Sequence, residues 1–155
     1  MIVINRYDDD CENEYRNLRD NYKNIVDYLE ENTEYIELVN FKYEGRESEF
    51  DTRFFNIIYD DIIEKSSVMR WAGTPKGPDD SNMYKVKASK ELFDFMREQK
   101  FFFRAKKGGF LFDNLESQAD IAFYNKNNIC LLYTTTEEAI VGIYDEKIEK
   151  IAKGN

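Results

Sequence analysis

Ala119-Asp120-Ile121-Ala122-Phe123-Tyr124, Ile129-Cys130-Leu131-Leu132-Tyr133-Thr134-Thr135 and Ala139-Ile140-Val141-Gly142-Ile143-Tyr144 are runs of alternating or β-branched residues separated by short polar breaks. Such residues suit a pleated, half-buried surface, so the stretch reads as the three strands of a β-meander. Asn125-Lys126-Asn127-Asn128 makes the first connection, where asparagine tolerates positive φ, and Thr136-Glu137-Glu138 makes the second.

Upstream, Tyr15, Leu18, Tyr22, Ile25 and Leu29 recur at helical spacing, with Val26 widening the stripe, and predict a helix that ends at Glu30-Glu31-Asn32-Thr33. Glu34 to Tyr43 mixes β-branched and aromatic residues in partial alternation and predicts a strand that stops at Glu44-Gly45. From Ser48 to Lys65, Phe50, Phe54, Ile57, Ile58 and Ile62 again follow the helical period, which predicts a second helix between the sheet and the first helix. Ser67 to Ala72 reads as a short strand, Gly73 to Asn82 as a long loop holding both prolines, and Met83 to Lys87 as a strand. Ser89 caps a helix reaching about Gln99, with Leu92, Phe93 and Met96 facing inward. Phe101-Phe102-Phe103 and Phe110-Leu111-Phe112 are short apolar segments joined by a basic glycine turn, and Asp145 to Lys153 closes the chain as a helical turn or two anchored by Ile148 and Ile151. The expected fold is α+β in one domain, residues 1–155: an antiparallel or mixed sheet ending in the C-terminal meander, with two N-terminal helices packed on one face.

A chain of 155 residues can bury roughly 68–70% of its unfolded surface and needs no disulfide or metal staple. Aromatic residues make 15% of it, so the expected core is built from rings. Net charge is −9, and it is unevenly placed: residues 1–65 carry 18 acids and 8 bases, the remainder 13 acids and 14 bases. Phosphates and anionic lipid headgroups would be repelled, so neither nucleic acid nor a membrane surface is the expected partner. No apolar run is long enough for a secretory leader or a spanning helix, and the expected location is the cytoplasm.

The chain has no histidine, which removes Ser-His-Asp and Cys-His nucleophile pairs and the usual general base near neutrality. It also lacks the GxGxxG and GxxxxGK[ST] phosphate loops. Cys11 sits among carboxylates and Cys130 in an apolar run, without CxxC spacing, so no disulfide, zinc site or thiolate nucleophile is expected. The adjacent acids Asp60-Asp61, Asp79-Asp80 and Glu137-Glu138 point apart on any regular element and lack EF-hand order. Lys106-Lys107-Gly108-Gly109 reads as a solvated turn, although a glycine turn with lysines can also hold an anion. No cofactor, no metal and no enzymatic activity are expected.

Asp8-Asp9-Asp10-Cys11-Glu12-Asn13-Glu14 holds five carboxylates ahead of the first helix, where its dipole favours them by about 0.3–1 kcal/mol each when exposed. With Asp20 and Asp27 on the polar side of that helix, Asp8, Asp9, Asp10, Glu12 and Glu14 are the candidate contacts for a basic protein partner. Trp71 is either a core ring or an interface anchor.

Ala119-Asp120-Ile121-Ala122-Phe123, followed by Leu131-Leu132-Tyr133-Thr134-Thr135-Thr136-Glu137-Glu138, resembles the C-terminal strand pair of small bacterial proteins that accompany polymorphic or contact-dependent toxins as immunity proteins. The likeness covers about 25 residues and implies a binding protein that neutralises a cognate, basic, nuclease-type toxin by direct contact. Two other classes stand beside it: a phage-encoded DNA mimic that blocks a DNA-binding enzyme, and an enzyme whose carboxylate pair is assembled only by the fold.

Overall fold

The computed structural model describes residues 1–40, 42–43, 46–47, 52–77, 81–103 and 119–154. The meander folds as its sequence predicts, into β7 (Ala119–Tyr124), β8 (Cys130–Thr135) and β9 (Ile140–Ile143). Asn125 Oδ1 accepts the N–H groups of Asn127 at 2.9 Å and Ile129 at 3.0 Å, and Asn128 takes the left-handed conformation with φ 61°. An asparagine side chain that satisfies its own turn is the reason this connection is built from that residue.

The meander is extended on both sides by β1 (Ile2–Asn5), β2 (Tyr35–Asn40), β5 (Ile62–Val68) and β6 (Ser81–Lys87) into a seven-stranded sheet in the order β1-β9-β8-β7-β2-β6-β5. Every neighbouring pair is antiparallel. Central β2 places Ile36 opposite both Phe123 and Val86, so three apolar side chains from distant parts of the chain share one row. A separate pair, β3 (Lys42–Tyr43) and β4 (Arg46–Glu47), forms a small hairpin.

All the described helices pack on the face that carries Ile4, Ile36, Leu38, Ile121, Phe123, Leu132, Val141 and Ile143. The expected first helix is two: α1 (Glu12–Asp20) and α2 (Tyr22–Asn32), separated at Asn21. There the Asn21 side chain donates to the Asn17 carbonyl at 2.8 Å, an acceptor that its backbone N–H also reaches at 3.1 Å. The expected helix from Ser48 to Lys65 is corrected more sharply. Residues 48–51 lie outside the described residues; α3 (Thr52–Ile58) is α-helical, a 3₁₀ turn at Tyr59–Asp61 follows, and Ile62 already belongs to β5. Pairing with β6 overrides the helical spacing of Ile58 and Ile62.

Nor does α3 lie between the sheet and the first helix. Its neighbour is α4 (Lys90–Glu98), which meets α2 elsewhere on its surface. Ser89 Oγ caps α4 by accepting the Leu92 N–H at 3.2 Å, and Leu92, Phe93 and Met96 are all buried. The last helix, α5 (Glu146–Lys153), packs on α1 and ends at Gly154 with φ 79°. Rings fill the centre, as expected: Tyr22 stands edge-on to Phe102 at 5.1 Å and donates its hydroxyl to the Met96 carbonyl at 2.7 Å.

Both sheet edges are blunted against pairing with another chain. Beside β1 the chain turns back, so that Cys11 Sγ meets the Val3 carbonyl at 3.8 Å and the Asp8 N–H reaches the Asn5 carbonyl at 3.2 Å. β5 carries Glu64, Lys65 and a register shift between Ile62 and Glu64. Among the described residues no helix is long and apolar enough to cross a membrane. The Lys106-Lys107-Gly108-Gly109 turn, Phe110-Leu111-Phe112 and Asp79-Asp80 lie outside the described residues.

Candidate functional site

The acids grouped by sequence are divided by the fold. Asp8, Asp9, Asp10 and Glu12 are exposed together around the 3₁₀ turn that leads into α1, where Asp8 Oδ1 accepts the Asp10 N–H at 2.9 Å. Glu12 faces Arg16 at 3.6 Å, and Asp20 continues that line four residues further, exposed at the end of α1. Glu14 turns partly inward, with one oxygen buried and without a hydrogen-bond partner. Asp27 stands apart on α2, bonded to Arg97 of α4 at 2.7 Å, and Glu30 shares the same guanidinium.

Trp71 lies on the opposite side of the sheet, which no described helix covers. From the outer strand β5 the chain continues as a strap, Met69 to Gly77, that folds back over β6 and β2 as far as β7, about 14 Å away at the usual strand spacing, and β8, about 19 Å away. The strap closes on itself: Gly77 N–H donates to the Met69 carbonyl at 2.7 Å, and Trp71 and Thr74 exchange backbone bonds of 3.0 and 2.9 Å. The expected strand from Ser67 to Ala72 is therefore the end of β5 and the beginning of this strap.

Trp71 Nε1 donates to Asp120 Oδ2 at 2.7 Å, while Asp120 Oδ1 accepts the Thr136 N–H at 2.8 Å. Asp120 is 3% exposed, and the cleft between strap and sheet, lined by Glu37, Val39, Trp71, Ala72, Asp120, Ile121 and Ala122, has no room for a water molecule. Burial pushes the Asp120 carboxyl up to about 6; the two N–H donors oppose this, and Glu137 and Glu138 add to it. Further along, Tyr133 is held between two glycines. A Cβ on Gly73 would come within 2.4 Å of one edge of its ring, and a Cβ on Gly142 within 2.1 Å of the other. Gly73 also takes φ 83°, so both conformation and space require glycine there.

Beyond the strap the same face carries a second cluster. Tyr35 and Tyr124 stack at 5.0 Å with their planes 4° apart, and Lys85 Nζ stands 4.3 Å from the centre of the Tyr35 ring. Glu37, on the same strand face, is hydrogen-bonded by Tyr124; burial raises its pKa, and Lys85 opposes the rise. Burial also pushes the Cys130 thiol up to about 12, which keeps it protonated and unreactive near neutrality.

Chemically, the face offers aromatic surface, a doubly bonded carboxylate and, at Thr135, a buried hydroxyl without a hydrogen-bond partner. Each Asp120 oxygen already accepts an N–H, which makes this carboxylate a staple between strap and sheet. Among the described residues no three His, Cys, Asp or Glu side chains converge so as to hold a metal ion. Asp120, Glu37 and Tyr124 escaped the sequence reading. The available signal was a lone carboxylate inside the apolar run Ala119 to Phe123, a position that demands buried donors. No family model, curated protein or solved structure matches the chain.

Proposed function

We propose that the chain is a small acidic binding protein of the immunity type, which occupies a basic, nuclease-type toxin by direct contact in the cytoplasm and has no catalytic role of its own. The observation that carries this reading is the exposed set Asp8, Asp9, Asp10, Glu12 and Asp20, in a chain whose surplus of acids lies entirely within residues 1–65. A nuclease binds phosphate with cations, and carboxylates placed over those cations compete for the same field. Trp71 drops out as a contact in this reading, because its indole N–H is bonded to Asp120. Asp27 drops out as well, because Arg97 holds it.

The test is association with catalytically inactivated basic nuclease toxin domains, followed by stopped flow from low to high salt. Exposed charges are screened beyond about 10 Å at 0.1 M salt, so the association rate falls steeply with ionic strength while dissociation changes less. Changing Asp8→Lys, Asp10→Lys and Asp20→Lys together slows association by about 10-fold or more at low salt and leaves the melting temperature within a few degrees. A triple variant that binds at the wild-type rate in low salt refutes the acidic face as the interface. Failure of every such domain to bind refutes the function.

A further inference from the structure

We propose that the helix-free face of the sheet binds a second copy of this chain, with the Met69–Gly77 strap of each copy seated against the bare tyrosine end of the other. Both sheet edges are blunted, so association is left to a face. An antiparallel sheet that faces water usually shows polar side chains on that side. Here one outward row across β1, β9, β8 and β7 reads Val3, Gly142, Tyr133 and Ala122, and Tyr35, Tyr124 and Tyr144 stand beside it. The strap covers the end of this face near Val39 and Asp120. At the other end Val3 and Tyr144 are 43% and 48% exposed, and Tyr35 and Tyr124 are partly so.

Charge selects the occupant. The outward charges of the described strands are Glu37, Glu64 and Asp120 against Lys85 and Lys87, and the strap adds exposed Arg70 and Lys76. This face is therefore close to neutral on a chain of net charge −9, so it offers a basic partner no surplus of acid and lets two acidic chains approach each other. The strap cations also complement the bare end, which presents tyrosine rings and the Glu37 carboxylate. The strap enters from β5, while Tyr144 follows β9 at the opposite corner of the face. A two-fold axis along the other diagonal exchanges these corners, lays Arg70 over Tyr144 of the other copy, and crosses the sheets at about 90°, one of the two usual packings. Seven strands span about 29 Å and the six-residue strands about 20 Å, which gives each copy roughly 600 Å² of face. Two such faces total roughly 1,200 Å², the lower limit for a specific stable interface, so the dimer dissociates in the micromolar range.

Sedimentation equilibrium on the intact chain, from low to high micromolar concentration in about 0.1 M salt, reads this association. A monomer–dimer equilibrium is expected. Arg70→Glu and Tyr144→Lys, both at exposed positions, each weaken it by about 10-fold or more, because each sets a repulsive group against the other copy. Combined in one chain they set Glu against Lys, and the dimer returns to within about 3-fold of wild type, a rescue that a folding defect cannot give. A wild type that stays monomeric, single variants that dimerise like wild type, or a double variant no tighter than the singles overturns the proposal. Should a single variant fail to fold, amide shifts of the wild type on dilution decide. Those of Val3, Tyr144, Gly73 and Lys76 move together while Asp9 and Glu12 stay fixed, and movement at the acidic turn instead overturns the proposal.

Discussion

Arg97 Nε donates to Asp27 Oδ1 at 2.7 Å, a bond that joins α4 to α2. The same guanidinium also reaches Glu30 and, at 2.9 Å, Asp94, and the bonds to Glu30 and Asp27 hold it well above its ordinary pKa. A carboxylate that belongs by sequence to the acidic N-terminal region thus contributes to the packing of the helix layer. The pair is partly exposed, so its coupling is modest. A double-mutant cycle of Asp27→Ala and Arg97→Ala, measured by urea unfolding, should give a coupling of about 0.5–1 kcal/mol that shrinks in high salt. Asp9→Ala, which breaks no such bond, should stay within about 0.5 kcal/mol of wild type. Zero coupling at low salt would show that Arg97 does not bind the two helices together.

Stability should carry the signature of Asp120. Its folded pKa, about 6, is raised above 3.8, so its contribution is greatest at low pH and is lost as pH climbs through 6. Between pH 4.5 and 7.5 the wild type should lose about 2 kcal/mol relative to Asp120→Asn, which does not titrate. At a single pH the variant has its own cost, because the asparagine NH₂ faces one of two N–H donors. The difference between the two pH values cancels that cost. A gap that widens in the opposite direction would mean that hydrogen bonding outweighs burial at this site.

Gly142→Ala should destabilise by about 1–3 kcal/mol, because the new Cβ would meet the Tyr133 ring at 2.1 Å and Gly73 closes off the ring's other side. In a Tyr133→Ala background the same substitution should cost less than about 0.5 kcal/mol. Equal costs in both backgrounds would assign the effect to the strand backbone instead.

Asp145 links the cap of α5 to α2. One oxygen accepts the Lys147 and Ile148 N–H groups at 2.9 and 3.1 Å, and the other accepts the Tyr28 hydroxyl at 2.8 Å. Asp145→Ala should lower stability by about 1–2 kcal/mol. Tyr28→Phe, which leaves the cap intact, should cost less, and the reverse order in thermal melts would place the weight on the tyrosine.

What the sequence determined by itself was local. Ala119 to Tyr144 specifies its strands through alternation and its first turn through the asparagines at 125, 127 and 128, all between near neighbours. Ser89 and the Leu92-Phe93-Met96 stripe specify α4 in the same way. The acidity of the N-terminal region is likewise a matter of composition.

Tertiary structure decided the rest, because the energies involved belong to pairs distant in sequence. Ile4 finds Val141 across most of the chain, and no periodicity within Ile2–Asn5 encodes that partner. Ile62 has helical spacing from Ile58, yet burial and backbone pairing with Val86 make it a strand residue. Asp120 is buried, with its pKa raised by that burial, where a strap from the outer strand folds back over it. Asp27, though still exposed, joins the packing of the helices because α4 brings Arg97 beside it. In both cases the side chain's chemistry was legible from its identity, while its environment, which sets the free energy of that chemistry, was supplied by residues far along the chain.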